Sequence, residues 1–216
     1  MKKLRILCLH GYRGNARVMH DQMIGLTQGF NNLAEFVCVD APSLAQGDFG
    51  WWHAIRDGVS AQAGDPGVNR APVRYEGWFR TRDWVAALFK ASGPFDGVFG
   101  FSQGAALTAL LVGLRSPDGR PSQHQPLAFD FAIMTGGFLA NDPTLVGLYE
   151  ATASYDLPSV HIIGHSDVIV PADYSRAVSR KFKDPLVLEH NGGHVIAGTL
   201  EIRWKVSSFL QERVGG

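Results

Sequence analysis

Leu4, Ile6, Leu7, Cys8 and Leu9 form an almost unbroken apolar run, interrupted by Arg5 and closed by His10-Gly11. A run of that length ending in a turn signal reads as a strand buried on both faces of a sheet. The same signature recurs at residues 35–40, 95–101, 129–135, 160–164 and 186–190. The segments between these runs predict helices over residues 16–30, 76–92, 103–114, 172–182 and 198–213. In the second of these, Trp78, Phe79, Trp84, Leu88 and Phe89 mark an amphipathic pattern. Strands alternating with helices imply right-handed crossovers and a mostly parallel sheet of about six strands, with helices on both faces. Functional residues in such sheets gather at the carboxyl ends of the strands.

Two stretches break the alternation. Residues 116–125 form a polar loop. Residues 42–74 carry scattered Gly, Pro, Asp and Asn, and read as one long irregular segment. Segments of that length inside a compact domain are usually lids or binding loops. This one holds Phe49, Trp51 and Trp52.

Composition narrows the picture. The 216 residues are 45% hydrophobic and 19% charged, which fits one globular domain over residues 1–216. Twenty basic and twenty acidic residues balance. No net field draws the chain to nucleic acid or to an anionic membrane, so neither is expected as a partner. The run from Ile6 to Leu9 is too short for a signal-peptide core or a membrane span. A cytoplasmic protein is expected. Cys8 and Cys38 each sit in an apolar strand and are expected to be buried free thiols. The cysteine and histidine spacings match no zinc pattern, and no metal or other cofactor is expected.

The chemistry-bearing signal is Gly100-Phe101-Ser102-Gln103-Gly104, a G-x-S-x-G motif between a predicted strand and a predicted helix. The glycines permit a tight strand-to-helix turn that lifts the serine hydroxyl clear of the sheet. Such a serine needs a base. In α/β-hydrolases the partners follow in the order Ser, acid, His. His194, after Gly192-Gly193 and before the last helix, stands where the base belongs; His190 is its competitor. Asp167, three residues past Gly164, stands where the acid belongs, with Asp173 as the rival. The backbone N–H groups of Gln103 and of Tyr12, in the loop after the first strand, are the candidate oxyanion donors. Phe49, Trp51, Trp52, Phe138 and Ile169 are candidates for an apolar acyl pocket. Trp51 and Trp52 have core packing as the alternative.

These residues carry a family resemblance. "LCLHGYRGN", "GPFDGVFGFSQGAAL", "HIIGHSDVIVP" and "NGGHVI" resemble the FSH serine hydrolases, a small-esterase branch of the α/β-hydrolases. "TGGF" at residues 135–138 and the Trp pair are also similar. The resemblance implies Ser102, Asp167 and His194 as a triad, in a fold without a separate cap domain. It implies hydrolysis of carboxylic esters or acyl thioesters, including acyl groups on a carrier protein. One departure is Ile196-Ala197, where many members continue into a proline. Two rival functions keep the same fold: an acyltransferase on the same triad, and a binding protein without catalysis.

Overall fold

A computed structural model describes residues 2–43, 50–56, 59–60, 73–115, 127–149 and 154–214. Six strands build the main sheet: β1 (Leu4–Leu9), β2 (Ala34–Val39), β6 (Gly97–Phe101), β7 (Phe131–Thr135), β8 (Ser159–Gly164) and β9 (Leu186–His190). Their order is β2-β1-β6-β7-β8-β9, and every pairing is parallel. The helices are α1 (Ala16–Thr27), α2 (Trp78–Ser92), α3 (Gln103–Gly113), α4 (Ala172–Ser179) and α5 (Leu200–Val214).

The alternation of side chains sorts the core into two layers. Ile6 and Cys8 of β1, Phe99 and Phe101 of β6, and Phe131 and Ile133 of β7 face α1 and α5. Leu7 and Leu9, Val98, and Ala132 and Met134 face the other way, toward α2, α3 and α4. Each large side chain so buried contributes about 1.5–3 kcal/mol against leaving it in water. Helix α3 is buried on all sides from Gln103 to Val112, as an all-apolar helix must be.

The segment expected to be irregular is in part a small sheet. β3 (His53–Arg56), β4 (Val59–Ser60) and β5 (Arg74–Glu76) pair antiparallel in the order β4-β3-β5. Strands of two to four residues are too short for alternation to show in sequence. Ala54 and Tyr75 of this sheet join the hydrophobic cluster of the main sheet. Glu76, expected to open a helix, ends β5 instead. Gly77 turns the chain with φ 91° before α2 begins at Trp78. Among the described residues, no helix is long and apolar enough to cross a membrane.

Candidate active site

Ser102 joins β6 to α3 with φ 54° and ψ −117°, a strained conformation for a residue with a Cβ. Its N–H donates to the Thr135 carbonyl at 2.9 Å. Its own carbonyl accepts from Ala105 and Ala106 in the first turn of α3. The flanking glycines answer to packing. A Cβ on Gly104 would stand 2.1 Å from the Leu9 carbonyl oxygen, and one on Gly100 would stand 2.3 Å from that of Gly104. Helix α3 can therefore pass this close to β1 and β6 only without those side chains.

The candidate acid and base arrive on neighbouring strand ends. Asp167 follows β8 and His194 follows β9; Asp167 Oδ2 accepts from His194 Nδ1 at 2.6 Å. Asp167 Oδ1 accepts from the N–H groups of Ile169 (2.9 Å) and Val170 (2.7 Å). The Asp167 side chain is 3% exposed. The two loops are stitched together: His165 N–H donates to the His190 carbonyl and Ser166 N–H to that of Gly192. The imidazole lies against the ring of Phe101, the residue before Ser102, at 4.8 Å between centroids. It also needs Gly136, which adopts φ 58°; a Cβ there would stand 3.0 Å from His194 Cε1. With Nδ1–H given to the carboxylate, Nε2 is left as the basic nitrogen.

The rival residues have other partners. His190 Nδ1 accepts from the Gly192 N–H at 3.1 Å, and burial pushes its pKa below the ordinary value. Asp173 is on the surface, paired with Arg176 at 3.0 Å. His10 is buried; its Nδ1 bonds the Gly11 carbonyl at 2.7 Å and its Nε2 accepts from the Ala41 N–H. Burial lowers its pKa, so it stays neutral and holds the β1 loop. His20 faces solvent beside Asp21, and His124 lies outside the described residues.

Tyr12 sits in the turn after β1, closed by Gly14 N–H on the Gly11 carbonyl. A Cβ on neighbouring Gly11 would lie 3.2 Å from Ser102 Cβ, which measures how closely this loop approaches the serine. Gln103, the first residue of α3, has a backbone N–H with no carbonyl to bond inside the helix. Its side chain does something the sequence did not announce. Oε1 accepts from the Trp51 N–H at 2.8 Å, and Nε2 donates to the Trp52 carbonyl at 2.9 Å. A buried amide thus clamps the stretch after Gly50 onto the helix that follows Ser102.

That clamp corrects the expected acyl pocket. Trp51 and Trp52 are each 1% exposed and belong to the core. The Trp51 indole N–H donates to the His10 carbonyl at 2.7 Å, and Trp52 stacks on Tyr75 at 4.7 Å. Both border a cavity of about 260 Å³, whose lining includes none of Ser102, Asp167 and His194. Phe138 is also fully buried in the core. Ile169 is half exposed beside the acid, in company with Val168 (90%) and Val195 (51%), which flank Asp167 and His194. Phe49 lies outside the described residues.

A parallel sheet with a strained serine between β6 and α3, and a carboxylate–imidazole pair after β8 and β9, has the layout of an α/β-hydrolase. The model of the FSH1 serine hydrolase family matches residues 1–203, and the chain belongs to that family. It is 31% identical to Esterase CG5412 of Drosophila melanogaster, over 99% of this chain and 75% of that protein. It is 30% identical to human Esterase OVCA2, over 98% of this chain and 97% of that one. Among solved structures, maize acyl-protein thioesterase 2 shares the fold with a TM-score of 0.68 at 23% identity, covering 100% of this chain and 95% of its own. The protein is therefore a hydrolytic enzyme of the serine hydrolase class.

Proposed function

We propose that the protein hydrolyses carboxylic esters or acyl thioesters through a Ser102–His194–Asp167 triad and an acyl-enzyme. The observation that carries this reading is the 2.6 Å bond between His194 Nδ1 and a buried carboxylate. It leaves Nε2 free to take the Ser102 proton as Oγ attacks the carbonyl carbon. Asp167 then stabilises the imidazolium. The N–H groups of Tyr12 and Gln103 receive the oxyanion; a donor of that kind is worth about 2.7–4 kcal/mol. His194 returns the proton to the leaving alkoxide or thiolate. It next activates the water that releases the acid from Ser102.

Val168, Ile169 and Val195 give the edge of the site an apolar rim. That rim suits an aliphatic acyl chain, on a small molecule or on a carrier protein. The free thiols of Cys8 and Cys38 suit a reducing compartment, the cytoplasm. The test is labelling with a fluorophosphonate, followed by mass mapping of the tryptic peptide covering residues 91–115. The label is expected on Ser102. Ser102→Ala is expected to abolish it and to lower kcat roughly 10⁴–10⁶-fold on p-nitrophenyl esters and acyl thioesters. A label elsewhere, or an active Ser102→Ala enzyme, refutes the assignment. An Asp173→Ala defect larger than that of Asp167→Ala would move the acid.

A further inference from the structure

Cys8 on β1 and Cys38 on β2 are direct partners in the parallel register of these two strands. Both belong to the face covered by α1, in the cluster that holds Met19, Met23 and Leu26. The Cys8 thiol is set against the Ile6 carbonyl at 3.4 Å. Cys38 Sγ also stands 4.0 Å from Met23 Sδ. Their surroundings differ in one respect. Cys8 is fully buried, whereas Cys38 is half-buried, against the expectation that both would be buried. Cys38 borders a surface cavity of about 310 Å³, which Lys3, His20, Thr27 and Glu35 also line. Cys38 therefore borders solvent, and Cys8 does not.

We propose that Cys38 is a thiol oxidised by hydroperoxides, with Cys8 as its resolving partner, so that the pair converts to a disulfide between β1 and β2. Directly opposed Cα atoms on neighbouring strands lie roughly 4.8 Å apart, within the span a disulfide bridges. The attacking species is the thiolate. Interaction with the neighbouring Cys8 holds the Cys38 thiol below its ordinary pKa, while burial pushes that of Cys8 up. Lys3 brings positive charge to the mouth of the cavity. The opposing carboxylate there, Glu35, is engaged by Arg5 at 3.2 Å.

The chemistry balances in two steps. Cys38 sulfur attacks the peroxide, an S–O bond forms, and the O–O bond breaks. The leaving alkoxide, or hydroxide from hydrogen peroxide, takes the thiol proton. Cys38 is then a sulfenic acid. Cys8 sulfur attacks the Cys38 sulfur, the S–S bond forms, and the S–O bond breaks. Water leaves with the Cys8 proton. In sum the two thiols give up two electrons to one peroxide, with an alcohol and a water as products.

The test uses the full chain, reduced, freed of reductant, and exposed to hydrogen peroxide. Intact mass is expected to fall by two hydrogen atoms and to recover with dithiothreitol. Digestion with trypsin is expected to yield residues 6–13 linked to residues 18–56, since no Lys or Arg interrupts either. In Cys8→Ala, dimedone is expected to trap a sulfenic acid on Cys38; in Cys38→Ser, Cys8 is expected to stay unlabelled. Wild-type mapping needs neither variant, so a misfolded Cys8→Ala would not spare the proposal. Peroxide that oxidises methionines while both thiols stay free overturns it. So does a disulfide found only between two chains, or dimedone on Cys8 in Cys38→Ser.

Discussion

Asp167 spends one carboxylate oxygen on His194 and the other on two backbone N–H groups, so neither is free to turn away from its task. The same constraint reaches the imidazole from its other side, through Gly136. Gly136→Ala puts a Cβ 3.0 Å from His194 Cε1, and the φ of 58° adds strain to any L side chain. The ring must give by a few tenths of an ångström, where a full 1 Å misplacement costs roughly 10²-fold in rate. We expect Gly136→Ala to lower kcat by at least about tenfold, with a small change in Tm, both read on one purified sample. An enzyme of unchanged kcat would mean that the imidazole position tolerates the methyl. Much of this residue-scale picture could be read ahead of the structure, because chain order alone put Asp167 and His194 after successive strands. Their supports could not. Nothing in the spelling of Gln103 shows that its amide will hold Trp51 and Trp52. Two adjacent tryptophans in a loop look the same whether they line a pocket or fill a core.

Two helical glycines show how packing against the sheet sets the sign of one chemical change. Gly25 lies within α1, exposed, and a Cβ built there meets nothing within 4 Å. Gly104 lies in the first turn of α3, and a Cβ there meets the Leu9 carbonyl oxygen at 2.1 Å. Gly25→Ala is expected to stabilise by about 0.5–1 kcal/mol, through helix propensity and a less flexible unfolded chain. Gly104→Ala is expected to destabilise by about 3 kcal/mol or more, because α3 must lift from β1. Urea unfolding of the two variants beside the parent checks both, and equal shifts of the same sign would undo the reasoning. The main sheet is legible for the reason that α3 is pinned to it. Strands buried on both faces tend to be written as continuous apolar runs; β6 and β7 are nearly so, and β1 and β8 are interrupted at Arg5 and His161. The β4-β3-β5 sheet is not legible, since its register joins His53 to Glu76 across a long stretch of chain with two to four residues per strand. Helix ends also moved, as at Gly77, where a left-handed turn separates β5 from α2.

At the scale of the molecule, the core that positions the site also encloses histidines whose burial disfavours protonation. His161 lies inside β8, 2% exposed, beside Ser159 Oγ at 3.1 Å and the ring of Phe182 at 5.0 Å. Burial pushes its pKa down to about 3 from 6.5. His10 is lowered by the same cause, against the raising effect of its hydrogen bond to the Gly11 carbonyl. Below pH 6.5 the unfolded chain binds protons that the folded chain refuses. For His161, stability is thus present above 6.5 and lost as pH falls toward 3, at up to about 1.4 kcal/mol per pH unit, and His10 acts in the same direction. Carboxylates act in a lower window. Glu189 is held down to about 2 by hydrogen bonds from Arg176 and then His165, and its share is lost only below its usual 4.5. Between 6.5 and 4.5 the buried histidines therefore dominate. Urea midpoints measured from about pH 7.5 to about pH 5 should fall for the wild type and fall less steeply for His161→Gln. The difference to read is the slope, which survives even if the variant starts from a lower midpoint. Parallel slopes would show that His161 reaches a proton in the folded state, and that the sheet is less closed around β8 than its burial indicates.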